Sequence, residues 1–359
     1  MSFGIDIHLI FVAIFAALLT CILCLLILVS QEWHGRFSLD SLNGVQKLHV
    51  KPTPRVGGIA IFMGLMVASF SATEGVNDLL QAILWSSLPG FLIGVAEDLT
   101  KKIGVLERLL ATMSCGLLAW FLTGVAIDRV EIIGIDSLLK VLPVSVAFTA
   151  FAVAGVINAF NIIDGFNGLA SGMSVLCLSA IGVIAYFEND LILVQTAIVL
   201  IALAFGFMVI NFPYGKIFLG DGGAYLLGFM VAWLAVLLPI RNPTVSVWSS
   251  LLACVYPVME VLFSIFRRYN RQIHPGHPDR LHLHSLIKSR FVQKNLSGLS
   301  PSLQNAVVSP IVWGLQAGPA LLAIIFYKHQ TTLMIYLLIS ILLYIWLYRR
   351  LTSFARQLR

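Results

Sequence analysis

The chain has 359 residues and a formal net charge of +6; it is 59% hydrophobic and only 11% charged, with a mean hydropathy of +0.93. A soluble domain of this length holds about 25% charged residues, so a water-soluble fold is excluded. The apolar runs are continuous rather than alternating, which excludes a β-barrel, and no basic–aromatic interleaving points to nucleic acid.

Runs of about 20 apolar residues are long enough to cross a bilayer and predict an all-α polytopic membrane protein. In chain order they cover 7–29, 56–72, 79–96, 106–124, 141–157, 168–187, 191–210, 222–239, 246–266, 303–327 and 331–348. That gives about eleven transmembrane helices in one integral membrane domain, 1–359, with the termini on opposite sides. The first run lacks a basic flank and reads as a retained helix rather than a cleaved signal. Cys21, Cys24, Cys115, Cys177 and Cys254 all lie within apolar runs and read as buried thiols, not as a disulfide or metal framework.

Of the 23 Lys and Arg residues, all but Arg129, Lys140, Arg241 and Lys328 fall on the face shared by the C-terminus. The positive-inside rule makes that face cytoplasmic and the N-terminus periplasmic. The excess charge then reflects topology and anionic lipid headgroups. The polar clusters fall on the same face: Lys51-Pro-Thr-Pro-Arg55-Val-Gly-Gly58, Glu97-Asp98, Asn158 to Gly168, Asn211 with Gly215 to Gly223, and His274 to Ser285. They define candidate active-site loops 45–58, 97–108, 158–168, 211–223 and 267–302. Polar groups at membrane depth are costly, so their convergence reads as one composite site.

Asn158, Asn161 and Asp164 recur every three residues and share a helix face. Taken singly, Glu97, Asp98, Asp164 and Asp221 are solvated helix ends. Together they would repel unless a cation joined them, and hard carboxylate oxygens suit Mg²⁺, with Mn²⁺ as the substitute. Gly220-Asp221-Gly222-Gly223, preceded by Lys216, opens a helix whose N–H groups attract phosphate; as a lone glycine-rich turn it is a weak signal. Four histidines lie in 274–284, but no cysteine is near, and His282 and His284 at i, i+2 would face apart on a helix. Phosphate binding with the arginines of that loop, including Arg280, is the better-supported reading.

The ordered set K-P-T-P-R-V-G-G (51–58), the acidic pair (97–98), N-A-F-N-I-I-D-G-F-N-G-L-A (158–170), N-F-P-Y-G-K-I-F-L-G-D-G-G (211–223) and H-P-D-R-L-H-L-H (277–284) resembles the polyprenyl-phosphate N-acetylhexosamine-1-phosphate transferases. The resemblance implies that a UDP-N-acetylhexosamine gives its sugar 1-phosphate to undecaprenyl phosphate in the bacterial inner membrane, releasing UMP. It makes Asp221 the principal Mg²⁺ ligand, Asp98 a metal ligand or the acid that positions and deprotonates the acceptor phosphate, and Asp164 and Glu97 active-site acids. Asn211 is linked to the uridine, and His282 and His284 to phosphate and sugar. Lys51, Arg55, Asn158, Asn161, Asn167, Lys216 and Arg280 complete the substrate-binding set. The partners implied are these two substrates, membrane lipids and a second copy as a homodimer.

Three positions depart from the family pattern: Glu97 where Asp is usual, Asn167 where D-G-x-D-G has its second Asp, and Ser285 in place of the last histidine of H-x-H-H. Asn167 is accordingly the position expected to tune sugar choice. The branch expected is the one that initiates O-antigen or enterobacterial common antigen synthesis. The phospho-MurNAc-pentapeptide transferases are the runner-up. A secondary transporter would place acids near the midplane within inverted repeats, and neither is seen. A membrane scaffold would leave the polar set unexplained.

Overall fold

The computed structural model describes residues 7–40, 52–270, 272 and 281–353, and its secondary structure is almost entirely helical. The apolar run lengths reappear as helices α1 (Ile7–Val29), α2 (Gln31–Ser38), α3 (Gly57–Ser71), α4 (Val76–Thr100), α5 (Val105–Thr123), α6 (Ile135–Leu139), α7 (Leu142–Ile163), α8 (Leu169–Phe187) and α9 (Leu191–Asn211). They continue with α10 (Gly220–Arg241), α11 (Val247–Ala253), α12 (Val255–Asn270), α13 (Leu283–Ile287), α14 (Gln293–Asn295), α15 (Pro301–Ile325) and α16 (Gln330–Ser353). A π-turn, Lys288–Val292, joins α13 to α14.

Among the described residues, nine helices are long and apolar enough to cross a membrane. This is a polytopic membrane protein. The expected eleven straight crossings are modified at two places. Helix α3 has 15 residues and rises only about 22 Å, short of a hydrocarbon core of about 30 Å. The run expected as one helix over 246–266 is instead α11 and α12, bent by 80° at Cys254. Pro257 has no N–H to offer the carbonyl of Ala253, where α11 ends.

Helix α10 is buried along nearly its whole length and is the centre of the bundle. Trp233, Tyr225 and Phe229 are among the largest side chains it encloses. Helices α1 and α16 instead expose apolar side chains such as Phe15, Leu18, Leu338 and Trp346, as lipid-facing helices do. The far end of the bundle is closed by polar contacts. Arg241 Nε lies 2.6 Å from Asp190, Lys328 lies 2.7 Å from Glu188, and Arg129 donates to the carbonyls of Pro239 and Val245. All of these are outside the site.

The site end is organised by one strap. Strand β1 (Leu39–Asp40) pairs antiparallel with β2 (Thr53–Pro54), and Arg55 N donates to Ser38 O at 2.8 Å. The strap is then sewn to the segment entering α10: Phe218 N to Pro54 O at 2.8 Å, Gly57 N to Phe218 O and Gly58 N to Leu219 O at 2.9 Å. A Cβ on Gly58 would strike the backbone of Gly223, and one on Gly94 would lie 2.5 Å from Gly222 N. Helices α3, α4 and α10 therefore meet backbone to backbone where the acids sit.

Candidate active site

Asp98, in the last turn of α4, is 6% exposed, and its carboxylate caps the start of α10. Its Oδ1 accepts from Asp221 N at 2.9 Å and Oδ2 from Gly222 N at 3.1 Å. These are N–H groups that the helix itself leaves unpaired, so an acid beside them is favourable. Gly220 reaches this turn with φ of +78°, and a Cβ there would lie 2.5 Å from Asp98 Oδ2. The glycine-rich turn thus exists to let Asp98 and the strap approach α10.

Arg55 bridges the two acids. Its Nε lies 3.1 Å from Asp98 Oδ1 and its Nη2 2.5 Å from Asp221 Oδ1. Arg108, from the first turn of α5, lies 3.5 Å from Asp221 Oδ2. The sequence places Arg108 at the edge of the candidate loop 97–108 but does not single it out as a site residue. Its place one turn into a helix that follows the acidic pair was the available signal.

Asp164 caps the end of α7 and is half-buried; its carboxylate makes no hydrogen bond among the described residues. Burial pushes it up to about 7, against the pull of the Arg55 guanidinium and with a further push from Asp221. It belongs to the same electrostatic cluster as Asp98, Asp221 and Arg55.

The histidines arrive from the other side of the Asp164 turn. His282 caps α13 in an extended conformation while His284 lies within the helix. Their rings consequently stack, 5.3 Å apart and 7° from parallel, and the expectation that they face apart is overturned. His284 Nε2 lies 3.9 Å from the Cβ position of Gly165, and its ring meets Phe166 edge-on at 5.5 Å. Burial pushes His284 down to about 4, opposed by the Glu260 carboxylate. Lys288, which the sequence reading passed over, is buried with its Nζ 5.8 Å from the Phe166 ring centroid and bonded to Asn305.

Four other expected site residues, Glu97, Asn158, Asn167 and Asn211, also bond within the scaffold. Glu97 Oε2 accepts from Ile103 N at 2.8 Å and clips the turn after α4. Asn158 donates to Thr112 Oγ1 at 3.0 Å and ties α7 to α5, while Asn161 makes no side-chain hydrogen bond among the described residues. Asn211 Oδ1 accepts from Gly168 N at 2.5 Å, and its Nδ2 donates to Ile217 O at 2.6 Å. Asn167 Nδ2 donates to Pro213 O at 2.8 Å, and its own carbonyl accepts from Ser309. Lys216 is exposed on that loop. Lys51 and Arg280, with His274 and His277, lie outside the described residues.

The donor set suits a hard divalent cation. Asp98 Oδ1 is already taken by a backbone N–H and a guanidinium, whereas Asp221 is held by side chains alone and Asp164 is unpaired. Carboxylate oxygens free of backbone duties, flanked by cationic side chains, can hold Mg²⁺ together with substrate phosphates.

A family model described as glycosyl transferase family 4 matches residues 80–239. The chain is 28% identical over 259 residues, 71% of each chain, to a probable undecaprenyl-phosphate N-acetylglucosaminyl 1-phosphate transferase of Bacillus subtilis (strain 168). It is 29% identical over 251 residues, 67% of each, to the undecaprenyl-phosphate alpha-N-acetylglucosaminyl 1-phosphate transferase of Escherichia coli (strain K12). Over 272 residues, 66% of each chain, it is 28% identical to the decaprenyl-phosphate N-acetylglucosaminephosphotransferase of Mycobacterium tuberculosis (strain ATCC 25618 / H37Rv).

Proposed function

We infer from its similarity to glycosyl transferase family 4 and to the polyprenyl-phosphate transferases above that this chain belongs with them and transfers an N-acetylhexosamine 1-phosphate to a polyprenyl phosphate. The observation that carries the reading is the meeting of Asp98, Asp164 and Asp221 with Arg55 and Arg108 where five helix ends converge. The donor is a UDP-sugar, UMP is the product that leaves, and undecaprenyl phosphate is the acceptor. The reported relatives are named for N-acetylglucosamine, which supports that sugar over a muropeptide. The protein works in the bacterial inner membrane with the arginine-rich end in the cytoplasm, at the first membrane step of a surface polysaccharide such as O-antigen.

One phosphate must attack another, so the problem is anion repulsion. Arg55 and Arg108 neutralise Asp221 in the free enzyme, and each can turn to a phosphate oxygen when the diphosphate enters. Asp98 fixes the start of α10 and so sets where Asp221 stands. Asp221 and Asp164 would hold Mg²⁺, whose charge would neutralise the diphosphate and stabilise the charge that develops in transfer. Asp98 acts by position, its Oδ1 being held by the Asp221 N–H and Arg55, while its Oδ2, with one backbone N–H at 3.1 Å, would still be able to join the ion.

Purified protein supplied with UDP-N-acetylglucosamine, polyprenyl phosphate and Mg²⁺ is expected to release UMP, and chelation to stop it. Asp221→Ala should reduce release by at least about 10³-fold, the scale on which losing charge stabilisation acts. Undiminished release from that variant would sink the assignment.

A further inference from the structure

Glu260 lies on α12, within an apolar run, and is fully buried. A carboxylate in such a place needs partners, and it has them from two elements, α13 with its cap and α16. Oε1 accepts from Leu283 N at 2.9 Å and from Tyr344 Oη on α16 at 2.5 Å. Oε2 lies 3.1 Å from His282 Nδ1 and 3.6 Å from His284 Nδ1. Ser264 Oγ touches His282 Nδ1 at 3.2 Å, and Tyr256 Oη lies at the same distance from His284 Nδ1. Arg267 donates to Ser264 and to the carbonyl of Leu281, supplying nearby positive charge.

We propose that Glu260 is a positioning residue for the transferase, holding His282 and His284 in the Nδ1–H form so that both Nε2 atoms face the substrate. A lone pair turned toward a buried carboxylate would be repelled, so His282 Nδ1, 3.1 Å from Glu260, presents its N–H there; His284 Nδ1, 3.6 Å from the same carboxylate, presents its N–H to Tyr256 Oη at 3.2 Å, and the partner of one ring nitrogen decides the state of the other. The rings are stacked and nearly parallel with both Nδ1 atoms on the Glu260 side, so both Nε2 atoms leave on the opposite side. For His284 that side is the Asp164 turn, where its Nε2 approaches Gly165. Burial keeps His284 neutral, and its Nε2 is then an acceptor. It takes a hydroxyl or amide N–H of the sugar rather than a phosphate oxygen. The functional half of this inference rests on the transferase reading; the tautomers do not.

The test is ¹⁵N NMR of histidine-labelled, substrate-free protein in lipid nanodiscs, compared with Glu260→Gln and Tyr344→Phe and paired with UMP release. The wild type should show protonated Nδ1 and unprotonated Nε2 for both residues. E260Q should lose this pattern and about 10-fold or more of the turnover, the loss typical of removing a group that orients an active histidine. Y344F removes another partner of the same carboxylate without touching the imidazoles, and should keep the tautomers and most of the rate. Nε2–H tautomers in the wild type would overturn the proposal whether or not E260Q folds. So would unchanged tautomers in E260Q, an equal loss in Y344F, or a stoichiometric metal ion bound by Glu260 and the two histidines. Because the tautomers are read without substrate, a chain inactive as a transferase would fail the assay and still decide this point.

Discussion

Asp164 carries a cost that function explains. Unfolded, its carboxyl ionises near the ordinary 3.8, whereas burial in the folded chain raises it to about 7. The folded state therefore holds this proton more tightly, and the stability so gained is complete below about pH 4 and lost as pH rises to about 7. Asp164→Asn, neutral throughout, should melt higher than the wild type at pH 8 and lose activity. The gain in melting temperature should shrink steadily as pH falls toward 4; a gain independent of pH would contradict the burial argument. Asn167 has a different standing. Its amide N–H supports the Pro213 carbonyl, so Asn167→Asp leaves a buried oxygen facing another and should cost about 1–3 kcal/mol in chemical denaturation while keeping the fold. The same change should alter the donor profile through the 213–216 loop, and an unaltered profile in a donor screen would remove this position from the specificity argument.

Among the elements, the contact of α4 with α10 is the one that sets acid to acid. Gly94 has no room for a methyl beside Gly222, and Asp98 lies one helical turn beyond it. Gly94→Ala should therefore leave a folded, helical protein, read by circular dichroism, whose UMP release falls about 10²-fold, since a displacement near 1 Å at reacting groups costs that much. Near-normal release would mean that the two helices can separate without moving the acids. Run length and basic loops made the helices legible, because crossing length and polar cost are set by the bilayer. The bend at Cys254 was not legible: Pro257 accompanies it, yet Pro310 and Pro319 lie inside an unbroken α15. Whether a proline breaks a helix depends on what packs around the freed carbonyl, and no local pattern reports that.

Across the whole molecule, the alternation of loops put the acidic clusters on one face, the structure groups Asp98, Asp164 and Asp221 around Arg55, and the order of the clusters along the chain carried the resemblance. What stayed hidden was the division of labour. Glu97 and Asn211 were expected at the site yet bond to backbone, while Arg108 stands on Asp221 without having been singled out. Glu260 had a readable signal, a lone acid inside an apolar run, that the search for loop motifs passed over. The most direct measurement supplies purified protein in Mg²⁺ with polyprenyl phosphate and UDP-N-acetylglucosamine labelled separately in the sugar and in the β-phosphate. Transfer of a sugar 1-phosphate requires both labels to enter the lipid fraction in equal amounts, with UMP as the soluble product. Sugar label in the lipid without the β-phosphate label, released as UDP, would contradict it.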